Sequence, residues 1–216
     1  MSRFDLIFKY LKGRGLEIGA CDKPAPTPQG LLVTYVDHVP LDELKRQYHM
    51  VEFKQDLHYV IDNAEKLTTF PENSQDFIIS SHVLEHCQDT IGTIKNWLRV
   101  VRSGGYLWIA LPEKTETFDK DRQVTSFEHL ELDHLMGPER SAEEHYREYF
   151  SLVDGNKGEE LETRIKHAVE NNVNIHFHVF SEASTKELFE KLKPLGYEIV
   201  EMVFIRYETI WLLRKK

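Results

Sequence analysis

Two spacings of apolar side chains alternate along the first half of the chain. Phe4, Ile7, Phe8 and Leu11 recur at helical spacing and predict an amphipathic N-terminal helix. Residues 14–18 then read as a strand, with Glu17 between Leu16 and Ile18. Residues 31–39, LLVTYVDHV, are rich in strand formers and predict a second strand. A short helix is expected over 41–48 and a weaker strand over 56–62. QDFIISS, 75–81, is apolar enough for a strand buried on both faces of a parallel sheet. Ile91, Ile94, Trp97, Leu98 and Val101 return to helical spacing over 89–101, and YLWIALP, 106–112, is another buried strand. Strand and helix alternate with short connections, which predicts a parallel sheet with crossover helices.

The rhythm breaks over 113–174, which is polar and rich in His, Glu and Asp. Residues 137–153 and 158–172 are patterned as helices, and the stretch is too long for a loop, so it reads as a helical insertion or lid. NIHFHVF, 174–180, predicts a strand, and 181–196 a helix with Ser181 as its cap and Gly196 at its end. Two strands, 197–206 and 207–215, follow almost without a gap as an antiparallel pair. The expected fold is a single α/β domain: a Rossmann-like, seven-stranded, mostly parallel sheet with an antiparallel last strand and a helical lid insertion. Its parts are a cofactor-binding core over 13–112, a lid and substrate insertion over 113–174, and a C-terminal strand, helix and hairpin over 175–216.

Composition narrows the function classes. The 216 residues carry a formal net charge of −9, against the basic face that nucleic-acid binding requires. No apolar run reaches the length of a membrane span, and the N-terminus lacks a signal-peptide pattern. Cys21 and Cys87 form no metal-like pair and read as free thiols of a cytoplasmic protein.

The turn after the first strand, GRGLEIGACDKP, carries the chemistry. A dinucleotide site needs several glycines to close its backbone around a pyrophosphate. Here the glycines stop at Gly19, and Pro24, Pro26 and Pro28 follow. Glu17 repels a pyrophosphate and suits a ligand with positive charge. Asp37 ends the second strand about 20 residues further on, where an acid accepts from ribose hydroxyls. A nucleoside with a cationic tail and no phosphate fits both acids, and S-adenosylmethionine is such a molecule.

These residues resemble the class I S-adenosylmethionine-dependent methyltransferases, in the group labelled methyltransferase type 11. LEIGA is similar to that family's first motif, and DNAEKLTTFPENSQDFIISSHVLEH, 62–86, is the most specific stretch. The resemblance implies cofactor contacts from Glu17, Gly19, Ala20, Asp37, Asn63, Ala64, Ser80 and His82. Two departures stand out. Ala20 and Cys21 replace the glycine that usually follows Gly19, and Asn63 stands where the family more often has Asp.

Substrate recognition is expected in the insertion, where FDKDRQVTSFEHL, 118–130, is the densest polar stretch. Arg122 suits an anionic group. His129, oriented by Glu128 or another acid, is the first choice for a general base and His178 the second. Thr125 or Ser126 can equally cap a helix that starts there, with Glu128 in its first turn. EHLELDH and the two histidines of HFH offer metal-ligand atoms, but a shared strand face does not by itself imply a metal, and no metal site is assigned. The lid stretch and the H-x-H segment are similar to those of bacterial surface-polysaccharide enzymes. The expected reaction is methyl transfer to a small or medium acceptor, at oxygen, and the similarity implies a sugar or polysaccharide precursor as that acceptor. A scaffold that keeps the fold without turnover is one rival reading. A nicotinamide-dependent oxidoreductase is another, disfavoured by the missing glycines. The N-terminal helix and the terminal strands offer contacts for a homodimer.

Overall fold

The computed structural model describes residues 3–20, 23–47 and 58–216. Cys21, Tyr48 and the start of the expected 56–62 strand lie outside them. Seven strands form one sheet: β1 (Arg14–Ile18), β2 (Leu32–Asp37), β3 (Tyr59–Ile61), β4 (Gln75–Ser81), β5 (Val101–Pro112), β6 (Tyr197–Ile205) and β7 (Glu208–Lys215). Their order is β3-β2-β1-β4-β5-β7-β6. The pairs among β1 to β5 are parallel, and β7 lies antiparallel between β5 and β6. The sheet is therefore seven-stranded and mostly parallel with an antiparallel last strand, as the sequence pattern predicts.

Side chains that alternate along a strand go to opposite faces. Ile78, Leu107, Ile109, Trp211 and Leu213 join one core with α3 (Thr90–Val100) and α7 (Glu182–Lys191). Phe77, Ile79, Trp108, Ile210 and Leu212 join the other with α1 (Asp5–Tyr10). α2 (Leu41–Gln47) completes the β2–β3 connection at its described end. α1 buries Leu6, Ile7 and Leu11, whereas Phe8, expected on the inner face, is exposed. β1 approaches β4 so closely that a Cβ on Gly15 would lie 2.3 Å from the Phe77 carbonyl oxygen.

The insertion is helical. After two 3₁₀ turns come α4 (Phe127–Met136), α5 (Ala142–Leu152) and α6 (Gly158–Asn171). Tyr146, Phe150, Ile165, Ala168, Ile175 and Phe177 form a third, separate core inside it. Of the eight segments patterned as strands, seven pair in the sheet, and 174–180 is not a strand. It runs buried between the insertion and the sheet, and other elements take its backbone groups. The His178 amide donates to the Glu85 carbonyl, the Val179 amide to Thr125 Oγ1, and the Arg122 guanidinium to the carbonyls of His176 and Phe177. The alternation of Ile175, Phe177 and Val179 reflects burial without sheet pairing.

Candidate active site at the carboxyl edge of the sheet

Ligands of open parallel sheets bind outside the carboxyl ends of the strands, where the strand order reverses. In this sheet β1 and β4 are neighbours at that reversal. Glu17 stands near the end of β1 at 2% exposure. The Ala25 amide donates to its Oε1 at 2.8 Å, while Oε2 has no partner among the described residues. Burial pushes the carboxyl up to about 7. Gly19 turns the chain with φ +64°, and a Cβ there would come within 2.8 Å of the Val83 side chain. Ala20 follows it, half-buried. Asp37 closes β2 and receives His38 on Oδ1, from the backbone amide at 2.8 Å and the ring Nδ1 at 2.7 Å. Ser80, at the end of β4, is buried, with no partner for Oγ among the described residues.

The loop after β4 adds strain and charge. His82 adopts φ +55°, a left-handed conformation that L-residues rarely take outside functional turns. Its side chain turns toward β7, with Nε2 3.0 Å from Glu208 Oε2, and Arg3 reaches the same oxygen at 2.7 Å. Glu85, in the 3₁₀ turn Leu84–His86, is fully buried; its Oε1 lies 3.6 Å from His82 Nδ1, and neither carboxylate oxygen has a hydrogen-bond partner among the described residues. A motif-level reading missed Glu85, although it is the acid of the His82–His86 stretch. Two buried carboxylates with unpaired oxygens, Glu17 and Glu85, are costly alone and suit a cationic ligand. The residues present thus fit a cofactor with a positively charged end.

Asn63 is committed locally: its Oδ1 accepts from the amides of Glu65 and Lys66 and holds a turn. That oxygen is therefore not free for an adenine amino group. Ala64 lies beside it, and its carbonyl accepts from the Trp97 indole at 2.8 Å.

The insertion places its polar residues differently from the sequence expectation. Arg122 is not a substrate clamp. It is buried, and its N–H groups point to Asp119, Glu148 and the carbonyls of His176 and Phe177. A guanidinium has five donors, and these partners use them all. Glu128 is exposed, pairs with Lys191 at 3.6 Å, and lines a groove of about 530 Å³ between α3, α4 and α7. The acid beside His129 is instead Asp133, one turn along α4, at 3.1 Å. His178, 1% exposed, is enclosed and held neutral by burial, with its pKa pushed down to about 3. It has no open path to an acceptor, which removes it as the base.

A different pair has the geometry of an oriented base. His176 Nδ1 lies 2.6 Å from Asp119 Oδ2, which leaves Nε2 free of that contact. The ring meets His86 edge-on with centroids 4.6 Å apart. His86 Nδ1 donates to the Ile175 carbonyl at 2.9 Å. Phe118, half exposed, packs on His176 at 4.6 Å and on Tyr149 at 5.9 Å. The H-x-H spacing exposes His176 to a sequence reader, but its acid lies 57 residues away.

Residues 16–109 match the model of a family described as a methyltransferase domain. No curated protein matches the chain by sequence. Among solved structures, a SAM-dependent methyltransferase from Aquifex aeolicus is similar at 14% identity and TM-score 0.52, over 99% of this chain and 86% of that one. A putative methyltransferase from Haloferax volcanii, solved with the activator Trm112, is similar at 13% identity and TM-score 0.53, over 94% and 82%. The methyltransferase CalH, solved with S-adenosylhomocysteine, is similar at 16% identity and TM-score 0.50, over 93% of this chain and 51% of that one. These likenesses are of fold.

Proposed function

We propose that this protein, a class I S-adenosylmethionine-dependent methyltransferase, methylates a hydroxyl of a small or medium acceptor such as a sugar or polysaccharide precursor. The observation that carries the reading is the pair of buried carboxylates, Glu17 and Glu85, whose oxygens are left incompletely hydrogen-bonded among the described residues at the carboxyl edge that Asp37 shares. When bound, the cofactor supplies a methyl group already activated on a sulfonium. The chain has then to bind, align and deprotonate. Glu17 and Glu85 face the cationic end of the ligand and Asp37 its ribose. His176, oriented by Asp119, takes the acceptor proton on Nε2 as the acceptor oxygen attacks, a role the sequence pattern assigns to His129. The half-exposed ring of Phe118 gives a sugar face a surface to stack on. The insertion forms the lid over this edge.

Calorimetry with S-adenosylhomocysteine tests the cofactor site. Micromolar binding, about −8 kcal/mol, lost in Asp37→Ala, is the expected result. An absence of binding to the wild type overturns the reading in favour of a scaffold. Transfer of a labelled methyl group to a panel of hydroxylated sugars and sugar nucleotides then tests the acceptor. His176→Ala should keep cofactor affinity and lose turnover by about 100-fold.

A further inference from the structure

Two helices of the insertion and the segment that follows it, far apart in sequence, aim four ligand-type side chains at one point. α4 supplies His129 and Asp133, four residues apart and so on one helix face. α5 supplies His145 and the 174–180 segment supplies His178. One ligand atom of each lies within 4.8 Å of the other three. His129 Nε2 is 3.1 Å from both His145 Nε2 and Asp133 Oδ2, and His145 Nε2 is 3.8 Å from the same oxygen. Bonds of 2.0–2.1 Å to a tetrahedral zinc ion place its ligands about 3.3 Å apart, so these separations bracket the edge of such a tetrahedron.

The surroundings leave the facing atoms to one another. Asp133 Oδ1 accepts from Ser141 Oγ at 2.7 Å and pairs with Arg140 at 3.2 Å, while Oδ2 faces only the ring nitrogens of His129 and His145 among the described residues. His178 Nε2 donates to the Gln88 carbonyl at 3.2 Å, which puts the lone pair on Nδ1. That Nδ1 is buried and unpartnered among the described residues. A ring nitrogen fixed by a backbone carbonyl, with the opposite nitrogen bare, is the arrangement metal-binding histidines use. The His145 and His178 rings stand at 88° with centroids 5.1 Å apart, so they converge edge to face and do not stack. Without an ion, the His178 nitrogen is buried with no donor among the described residues, and two histidine nitrogens crowd one carboxylate oxygen, a cost that a bound cation would remove.

We propose that His129, Asp133, His145 and His178 bind one divalent transition-metal ion, zinc by ligand type. Four protein ligands complete a tetrahedron, which makes the site structural. Through His178 and its hydrogen bond to Gln88, the ion ties α4 and α5 to the loop that follows β4. It occupies the lone pairs of His129 and His178, which leaves neither free to take a proton.

Metal analysis of the full-length protein, purified without an affinity tag and dialysed against buffer free of metal, should find one zinc per chain. After chelation, Zn2+ should rebind and raise the melting temperature, and Co2+ in its place should show the intense visible bands of a tetrahedral site. Asp133→Ala and His145→Ala should each weaken Zn2+ binding by about 100-fold or more, while His86→Ala should leave it unchanged. His178→Gln, which keeps the side chain's size and polarity, separates loss of a ligand from loss of folding. Its circular dichroism should match the wild type while its zinc affinity falls. The proposal is overturned if the folded, chelated protein neither retains nor rebinds zinc. It is also overturned if binding is indifferent to Asp133 and His178, which would assign the ion to other ligands, such as the Glu85, His86 and His176 group or surface histidines.

Discussion

Glu17 shows how one buried side chain couples pH to ligand. The folded protein keeps its proton up to about pH 7, against an ordinary value of 4.5. The unfolded chain therefore releases that proton first, and Glu17 makes stability fall as pH climbs between those values. The shift corresponds to about 3 kcal/mol. In cofactor-free protein, Glu17→Gln should remove the fall and be the more stable form at pH 8, as denaturant titrations at several pH values would show. A cationic ligand reverses the preference by favouring the ionised carboxylate. Affinity for S-adenosylmethionine should then rise about eightfold from pH 6 to 7.5 in the wild type and stay level in Glu17→Gln. A flat wild-type profile would disconnect Glu17 from the ligand's charge. Arg122 makes the opposite point about legibility. Its charge drew a substrate role from the sequence, yet all its donors are consumed inside the protein. Replacing it with Met strands Asp119 and Glu148 and should cost about 3–5 kcal/mol in urea unfolding. Lys should restore little, because an ammonium cannot span the same partners.

Elements whose pattern follows from one face against one core were legible in the chain. β4 and β5 read as buried strands and α3 as a helix because their apolar periods answer directly to the two sheet faces. α5 and α6 were legible for the same reason, through the insertion's own core. The 174–180 segment was not. Its alternation is that of a strand, but its backbone partners are side chains and loop amides that no local pattern encodes. Free of a pleat, His176 and His178 diverge: one meets Asp119 and the other the cluster on α4 and α5. Nor does local sequence reveal that Asp133 rather than Glu128 partners His129, because both acids lie close in the chain and only helix packing selects between them. If side-chain bonds hold this segment in place of a sheet ladder, single side chains should release it. Thr125→Val removes the acceptor of the Val179 amide, a buried donor, at about 1–3 kcal/mol. Amide exchange of Val179 should accelerate at least about tenfold while that of β4 stays unchanged. Equal protection in the variant would show that another group takes up the donor.

At the scale of the whole molecule, two cores pack on the sheet and the third lies within the insertion. The crossover pattern announces the parallel half of the sheet, whereas the placement of β7 between β5 and β6 depends on long-range pairing that the hairpin-like spacing of the last two strands leaves open. Cooperativity should follow the cores. Ile78, Ile79, Trp108 and Leu212 sit in the middle of the sheet, in the two large clusters, so their amides should open only with global unfolding. α4 packs Leu130 and Phe127 into the first sheet core, whereas α5 and α6 bury their apolar faces in the insertion's own core and reach the rest of the fold mainly through polar links such as His178 to Glu85 and Gln88. α5 and α6 should therefore exchange by an opening of lower free energy than β4, by about 2 kcal/mol or more. Native-state hydrogen exchange over a denaturant series would separate the two as distinct isotherms. One isotherm for α5, α6 and β4 would make the insertion part of a single cooperative unit, and a lid that opens for the acceptor would then have to move as a rigid body.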